Sequence, residues 1–216
     1  NKNYLRIQDD ASLSLKGKTF SYANSDEILF ENLNISFEEN THNILIGANG
    51  TGKTTLLGLI GNILNPQEGK LTSFTQEFSY IGATPFIFQK SLRENILYGN
   101  KLDITDSEIL EMLYKFDTFK EESSYNLNRE VENTALSSGQ LQKIAFIRAL
   151  LSKPQVLLLD EAMANLDEKS KDLVLTIIKD LKITVINSTH DPDRFNNVDA
   201  IYKIEVINEQ RIIRKV

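Results

Sequence analysis

The chain of 216 residues has no cysteine and no tryptophan, only 4 prolines and only 2 histidines. Without cysteine there is no disulfide, no thiolate zinc site, no iron–sulfur cluster and no thiol redox chemistry. Long apolar runs are missing too. None reaches the roughly 20 residues a membrane helix needs, and no basic-then-apolar segment at the N-terminus marks a secretory signal. Positive charge is scarce: 24 Lys and Arg against 30 Asp and Glu leave a net charge of -6. Nucleic-acid binders usually carry a basic surplus to neutralise phosphates, so no nucleic-acid partner is expected. What is present is ordinary globular composition, 41% hydrophobic and 25% charged, in a chain long enough to bury a substantial core. The chain begins at Asn1 rather than Met, and the polar residues 1–11 read as a tether from a preceding segment.

Strand-like and helical runs alternate from there on, which predicts an α/β fold. Half-buried alternation predicts strands over Leu13–Tyr22 and Ile28–Phe37. Asn43–Ile46 is short, apolar and followed by glycines, as expected of a buried strand feeding a loop. A helix is expected from Lys53 to about Ile63, then short strands near Lys70–Phe74 and Phe78–Gly82. From Ser91 to about Lys120 the pattern is helical, with Ile104-Thr105-Asp106 reading as a cap and with Ile109, Leu110, Leu113 and Phe116 on one face. Residues 120–133 are polar and read as a surface connection. Gln140–Leu151 predicts a helix, Val156–Asp160 and Ile183–Asn187 predict parallel core strands, and Glu168–Leu181 predicts a helix between them. Residues 200–216 read as a hairpin around Asn208-Glu209. The main domain is then 12–216, with a helical subdomain over about 84–145 inserted in it.

Three segments carry chemistry. Gly47-Ala48-Asn49-Gly50-Thr51-Gly52-Lys53-Thr54, followed by Thr55, is a phosphate loop in a strand–loop–helix setting. Its glycines let backbone N–H groups converge, the helix starting near Lys53 adds the positive end of its dipole, Lys53 is a point charge for the β- and γ-phosphates of a nucleoside triphosphate, and Thr54 offers a hydroxyl to Mg²⁺. An ordinary glycine-rich turn is the plainer alternative, but few chains of this length hold the full pattern by chance. The apolar run ending in Asp160-Glu161 places a carboxylate at the C-terminal end of a buried strand, where Asp160 can hold Mg²⁺ and Glu161 can polarise the attacking water, a plain strand-end cap being the alternative for the pair taken alone. Leu136-Ser137-Ser138-Gly139-Gln140 opens a helix and is a second anion-reading site or, more plainly, a helix cap. One ATP has a single γ-phosphate, so a second such site makes most sense if it serves ATP held by another copy.

With the phosphate loop, the acidic pair and the Leu136–Gln140 segment between them, the chain resembles the ATP-binding cassette family over about residues 13–202. The resemblance implies a P-loop NTPase core with an antiparallel β subdomain and an inserted helical signature subdomain. It implies that Asp160 holds the metal, that Glu161 is the catalytic base and that Ser137, Ser138, Gly139 and Gln140 reach ATP held by a partner domain. Ser138 stands where the family usually has glycine. Met163-Ala164-Asn165-Leu166-Asp167 matches the family's D-loop, which implies Asp167 at the dimer seam. His190 matches the switch histidine that contacts the γ-phosphate, and Tyr22 the aromatic that stacks on adenine; taken alone, His190 reads as a turn residue and Tyr22 as strand packing. Ala83 stands where transporter-type members usually carry glutamine. Pro85–Gly99 resembles the exporter branch, which implies a groove for a transmembrane domain with Phe86, Phe88 and Leu92 as its exposed apolar residues, the plainer alternative being that they form the core of the helical subdomain. The implied protein is the ATP-hydrolysing domain of an exporter, at the cytoplasmic face of a membrane, paired with a second nucleotide-binding domain. A regulatory cassette with little turnover and a non-transport ATPase switch remain as alternatives.

Overall fold

In the computed structural model, which describes residues 5–7, 12–23, 25, 27–119, 125–195 and 198–216, the elements follow in chain order. The first are β1 (Leu5–Ile7), β2 (Ser12–Phe20), β3 (Phe30–Glu38), β4 (His42–Ile46), α1 (Lys53–Ile60), β5 (Glu68–Ser73) and β6 (Phe78–Ile81). Then come β7 (Lys90–Ser91), α2 (Leu92–Ile96), α3 (Asp106–Lys115), β8 (Glu130–Val131) and α4 (Ser138–Leu151). Last are β9 (Val156–Asp160), α5 (Glu168–Asp180), β10 (Thr184–Ser188), β11 (Ala200–Ile207) and β12 (Gln210–Lys215). The chain divides into two compact units. One comprises Asn1–Tyr80, Gln155–Asp160 and Leu181–Val216; the other comprises Ile81–Pro154 and Glu161–Asp180.

In the first unit the two apolar patterns give two kinds of sheet. The continuous runs β9 and β10, buried at every position, lie in the middle of a six-stranded sheet of order β12-β11-β4-β10-β9-β6. β10 runs parallel to β4 and β9, and β11 runs parallel to β4 before turning into the antiparallel hairpin partner β12. Strands with no polar face need cover on both sides, which is why such runs sit centrally. β3 instead alternates buried and exposed residues and belongs to a four-stranded sheet of order β1-β5-β2-β3, with β2 antiparallel to both β3 and β5. Leu13, Leu15, Phe30 and Phe37 from this sheet join Leu56, Leu57 and Ile60 of α1 and Leu158 and Ile186 of the other sheet in one core. Each such side chain contributes about 1.5–3 kcal/mol by leaving water, so α1 is held by packing along nearly its whole length. Its last turn stops at Ile60, short of the expected Ile63, because Gly61 caps it and Asn62 turns left-handed.

In the second unit α2 and α3 both pack against α4, and the Phe116 and Phe146 rings stack at 6.4 Å. Four expectations are corrected by the structure. Leu5–Ile7, inside the expected tether, pairs in parallel with Leu71–Ser73; the rest of residues 1–11 lies outside the described residues. The helical stretch from Ser91 is two helices, each started by its own capping box, Ser91 with Glu94 and Thr105 with Glu108, and separated by a turn with Gly99 at φ 77°. Of the polar connection, 120–124 lie outside the described residues, but Tyr125, Leu127 and Val131 are buried, and the Arg129 guanidinium lies 4.0 Å over the Phe119 ring. Its backbone also serves α2: Leu92 N–H donates to Arg129 O and Arg93 N–H to Leu127 O. Leu92 is not exposed but fully buried, whereas Phe86 is exposed and Phe88 is half-buried. The Phe88 ring lies 4.9 Å from Phe86 and 4.2 Å from Tyr98.

Candidate functional site

In the first unit, register alone brings three sequence-predicted features to one edge of the sheet. Asp160, the last residue of β9, pairs with Ser188, the last of β10, and Ser188 pairs with Leu45, one residue before β4 ends. The loop after β4, the acid ending β9 and His190, two residues past β10, therefore leave the same C-terminal edge of parallel strands, where ligands bind in such sheets. His190 is exposed there and Asp160 is buried.

The loop from Gly47 to Gly52 is shaped by its glycines. A side chain at Gly47 would strike Ile204 O at 2.7 Å and Thr51 Oγ1 at 2.8 Å. Gly50, at φ 80°, has no atom within 4 Å of where a Cβ would stand, so the mouth of the loop is open at that point. Gly52 is the N-cap of α1, left-handed at φ 103°, and no side chain caps the helix. Asn49 lies in the same turn, and the Thr51 N–H and Oγ1 both donate to Ala48 O, at 3.3 and 2.9 Å. Lys53 is buried, and its Nζ donates to Gly47 O at 2.8 Å and to Ala48 O at 3.2 Å. A buried ammonium needs acceptors, and here the loop's own carbonyls supply them. Thr54 is exposed, while Thr55 is buried and shares a 2.6 Å hydrogen bond with the Tyr22 hydroxyl. Tyr22 is 46% exposed, and among the described residues the aromatic neighbour of its ring is Phe20, edge-on at 5.0 Å.

The open mouth at Gly50, the uncapped helix start and Lys53 fit a polyphosphate. The oxygen donors Thr54 and Asp160 fit Mg²⁺, a hard cation that prefers oxygen and is commonly held by one or two protein groups together with substrate phosphates. Among the described residues no cluster of His, Cys, Asp and Glu could hold a metal by itself.

One participant escaped the sequence reading. Tyr80, on β6, donates its hydroxyl to Asp160 Oδ2 at 3.0 Å. Burial and the adjacent carboxylate push the phenol well above its usual range, so it stays protonated as a donor. A tyrosine in a strand reads as packing, and the register of β6 beside β9 is not written in either segment.

The second unit carries the other predicted residues. Ser137 is the N-cap of α4: its Oγ accepts from Gln140 N–H at 3.2 Å, and Ser137 N–H donates to Gln140 Oε1 at 2.9 Å. The helix starts at Ser138, two residues before the expected Gln140. A Cβ on Gly139 would come within 3.2 Å of Asn165 O, so the helix start and the 163–167 loop approach closely. Asn165 Nδ2 in turn donates to Ala83 O at 3.2 Å. Asp167 Oδ2 pairs with Lys143 Nζ at 2.9 Å, and Oδ1 accepts from Ser170 N–H at 2.9 Å. Burial pushes this carboxyl up, but the Lys143 and Ser170 bonds outweigh it and hold the group well below the usual carboxylate range. Glu161, next to Asp160 in the chain, is left-handed at φ 52°, a conformation that costs a non-glycine residue about 1 kcal/mol or more and clusters at functional sites.

Comparison with known proteins identifies the kin of this arrangement. The family model described as ABC transporter matches residues 30–164. The chain is similar to ABC multidrug transporter E of Aspergillus fumigatus, at 30% identity over 89% of this chain and 17% of that protein. It is similar to the heterocyst differentiation ATP-binding protein HepA of Nostoc sp., at 32% over 94% of this chain and 36% of that protein. It is also similar to the lactococcin-A transport/processing ATP-binding protein LcnC of Lactococcus lactis, at 28% over 94% and 30%. The chain thus spans only 17% to 36% of the length of these relatives. Among solved structures, a bacterial Atm1-family ABC exporter with ATP bound superposes with a TM-score of 0.83 at 20% identity, over 100% of this chain and 40% of that one. At that identity the likeness is one of fold, and the fold is the α/β P-loop NTPase fold expected from the sequence.

Proposed function

The chain belongs to the ABC transporter family, and from that premise we propose that it is the ATP-hydrolysing domain of an exporter. In this reading two such domains close head to tail around two ATP molecules at the cytoplasmic face of a membrane, joined to an exporter's transmembrane domain. Among the described residues no helix is long and apolar enough to cross a membrane, so the spanning part is assigned to that other domain. Relatives named as a multidrug transporter and a lactococcin-A transport protein, and the exposed Phe86 with its neighbours Phe88 and Tyr98, support the assignment.

The observation that carries the reading is the uncapped, left-handed start of α1 at the sheet edge that also bears Asp160 and His190. Backbone N–H groups of Gly47 to Thr55 and the Lys53 ammonium hold the phosphates, Lys53 exchanging its loop carbonyls for phosphate oxygens. Thr54 and Asp160 hold Mg²⁺. When bound, the metal neutralises charge on the phosphates. Glu161 orients the attacking water and takes its proton, His190 donates to the γ-phosphate, and Tyr22 stacks on adenine. Ser137, Ser138, Gly139 and Gln140 serve the partner's ATP. The Asp167 carboxylate is already engaged by Lys143 and Ser170, so what it brings to the dimer seam is the loop it holds in place.

Glu161→Gln tests the reading. The variant should keep ATP affinity and lose turnover by about 10²–10⁴-fold, the usual worth of a positioned base. It should dimerise in light scattering with ATP and stay monomeric with ADP. Full turnover in the variant would remove Glu161 from the mechanism, and a monomer at high ATP would remove the head-to-tail dimer.

A further inference from the structure

Asp160 ends a strand that lies between β10 and β6. On β10 its register partner is Ser188; on the other side β6 carries Tyr80, whose hydroxyl donates to Oδ2 at 3.0 Å. Among the described residues Tyr80 is the hydrogen-bond partner of this buried carboxylate. The pair lies 80 positions apart in sequence, so the bond exists only because the sheet sets β6 beside β9. A buried carboxylate without a partner is costly and free to turn. A phenol is well suited to hold one, because the ring leaves few torsions through which the oxygen can wander. Tyr22 lies close enough to act on Tyr80 electrostatically, which places this pair beside the tyrosine read as the adenine platform.

We propose that Tyr80 is a positioning residue of the nucleotide site: its hydroxyl holds Asp160 so that the carboxylate meets Mg²⁺ in a single orientation. The inference rests on reading Asp160 as the metal-holding acid. Tyr80 touches neither substrate nor metal in this role; it acts through Asp160. Groups that hydrogen-bond a metal ligand typically change metal affinity or activity by about 10–100-fold when removed, although they leave the rest of the substrate's contacts alone. Among the described residues the Tyr80 hydroxyl bonds Asp160 and makes no hydrogen bond to the phosphate loop, Lys53 or Tyr22, so nucleotide binding without metal should change little when it is removed.

Tyr80→Phe removes the hydroxyl and keeps the ring. Mn²⁺ in place of Mg²⁺ reports metal binding directly through its electron paramagnetic resonance signal, titrated with ATP present. A fluorescent ATP analogue in excess chelator reports binding without metal. The expected result is Mn²⁺ binding weakened about 10-fold, metal-free analogue affinity unchanged and a melting temperature close to that of the unaltered chain. Unchanged Mn²⁺ affinity would overturn the inference. So would an equal loss of metal-free affinity, because the hydroxyl would then serve packing of the whole site. Asp160→Asn, measured in parallel, separates the two levels. If it leaves Mn²⁺ binding intact, Asp160 is not the metal-holding acid and both readings fall. If it abolishes Mn²⁺ binding while Tyr80→Phe changes nothing, only the role of Tyr80 is lost.

Discussion

Helix α1 begins after Gly52, which is left-handed and offers no side chain to its amides; helix α4 begins after Ser137, which exchanges two hydrogen bonds with Gln140. Both starts are rich in small residues, and every helix start exposes amides with no partner inside the helix. At α4 the chain answers that need itself. At α1 it does not, and the nearest positive charge, Lys53, is turned onto loop carbonyls that a phosphate would replace. Two segments that look alike in sequence therefore differ in readiness. The first leaves its amides without a side-chain cap and the second is closed by a capping box, so on the proposed reading a phosphate would meet an open start at α1 and an occupied one at α4.

The largest effect expected from this contrast is at Lys53. Lys53→Ala should weaken binding of a fluorescent ATP analogue by roughly 100-fold, since hydrogen bonds to a charged group are worth about 1.5–3 kcal/mol each and no other side chain in the loop is basic. Unchanged affinity would mean that α1 is not the prepared site, and the contrast would collapse.

Gly52 tests the backbone half of the same contrast. A Cβ at Gly52 would stand 3.0 Å from Phe30 Cζ, and φ is 103°, a region that side chains avoid. Gly52→Ala should cost about 2 kcal/mol in urea denaturation, combining backbone strain with a displaced core ring. Stability equal to that of the unaltered chain would show that the left-handed entry is incidental to α1.

Why one helix start was easier to read than the other is a matter of distance along the chain. The strands β4, β9 and β10 were legible because a short run of apolar residues with no polar face has few places to go except the middle of a sheet. The phosphate loop was legible because its glycines, lysine and threonines act within one turn. Contacts that join remote segments were not legible. Leu5–Ile7 finds β5 only through pairing 66 positions away, from Leu5 to Leu71. Tyr80 finds Asp160 only through sheet order. The burial of Leu92 likewise depends on neighbours from other helices and from the chain around Arg129. For Ser137 the hydroxyl was legible but its commitment was not, because a serine before a helix reads equally as a cap and as an anion contact.

Ser137 therefore gives the smallest but most discriminating effect. Ser137→Ala removes the Oγ that accepts from Gln140 N–H and should cost about 1 kcal/mol of stability, the usual worth of an N-cap. Binding of the ATP analogue to the unpaired chain should not change, because the Ser137 hydroxyl is engaged at its own helix start and Lys53 on the carbonyls of its own loop. The dimer is where the two meanings of Ser137 part. In the Glu161→Gln background, if Ser137 also serves a partner's γ-phosphate, Ser137→Ala should weaken ATP-dependent dimerisation in sedimentation by more than its loss of folding stability explains. Ser137→Thr, which keeps a capping hydroxyl, should restore most of the stability. It should restore the dimer only as far as the added methyl fits beside the phosphate. If Ser137→Ala loses the 1 kcal/mol and dimerises as before, the hydroxyl is a cap and nothing more, and any contact with the partner's ATP must come from the backbone around Gly139, where the approach of Asn165 O leaves little room for a side chain.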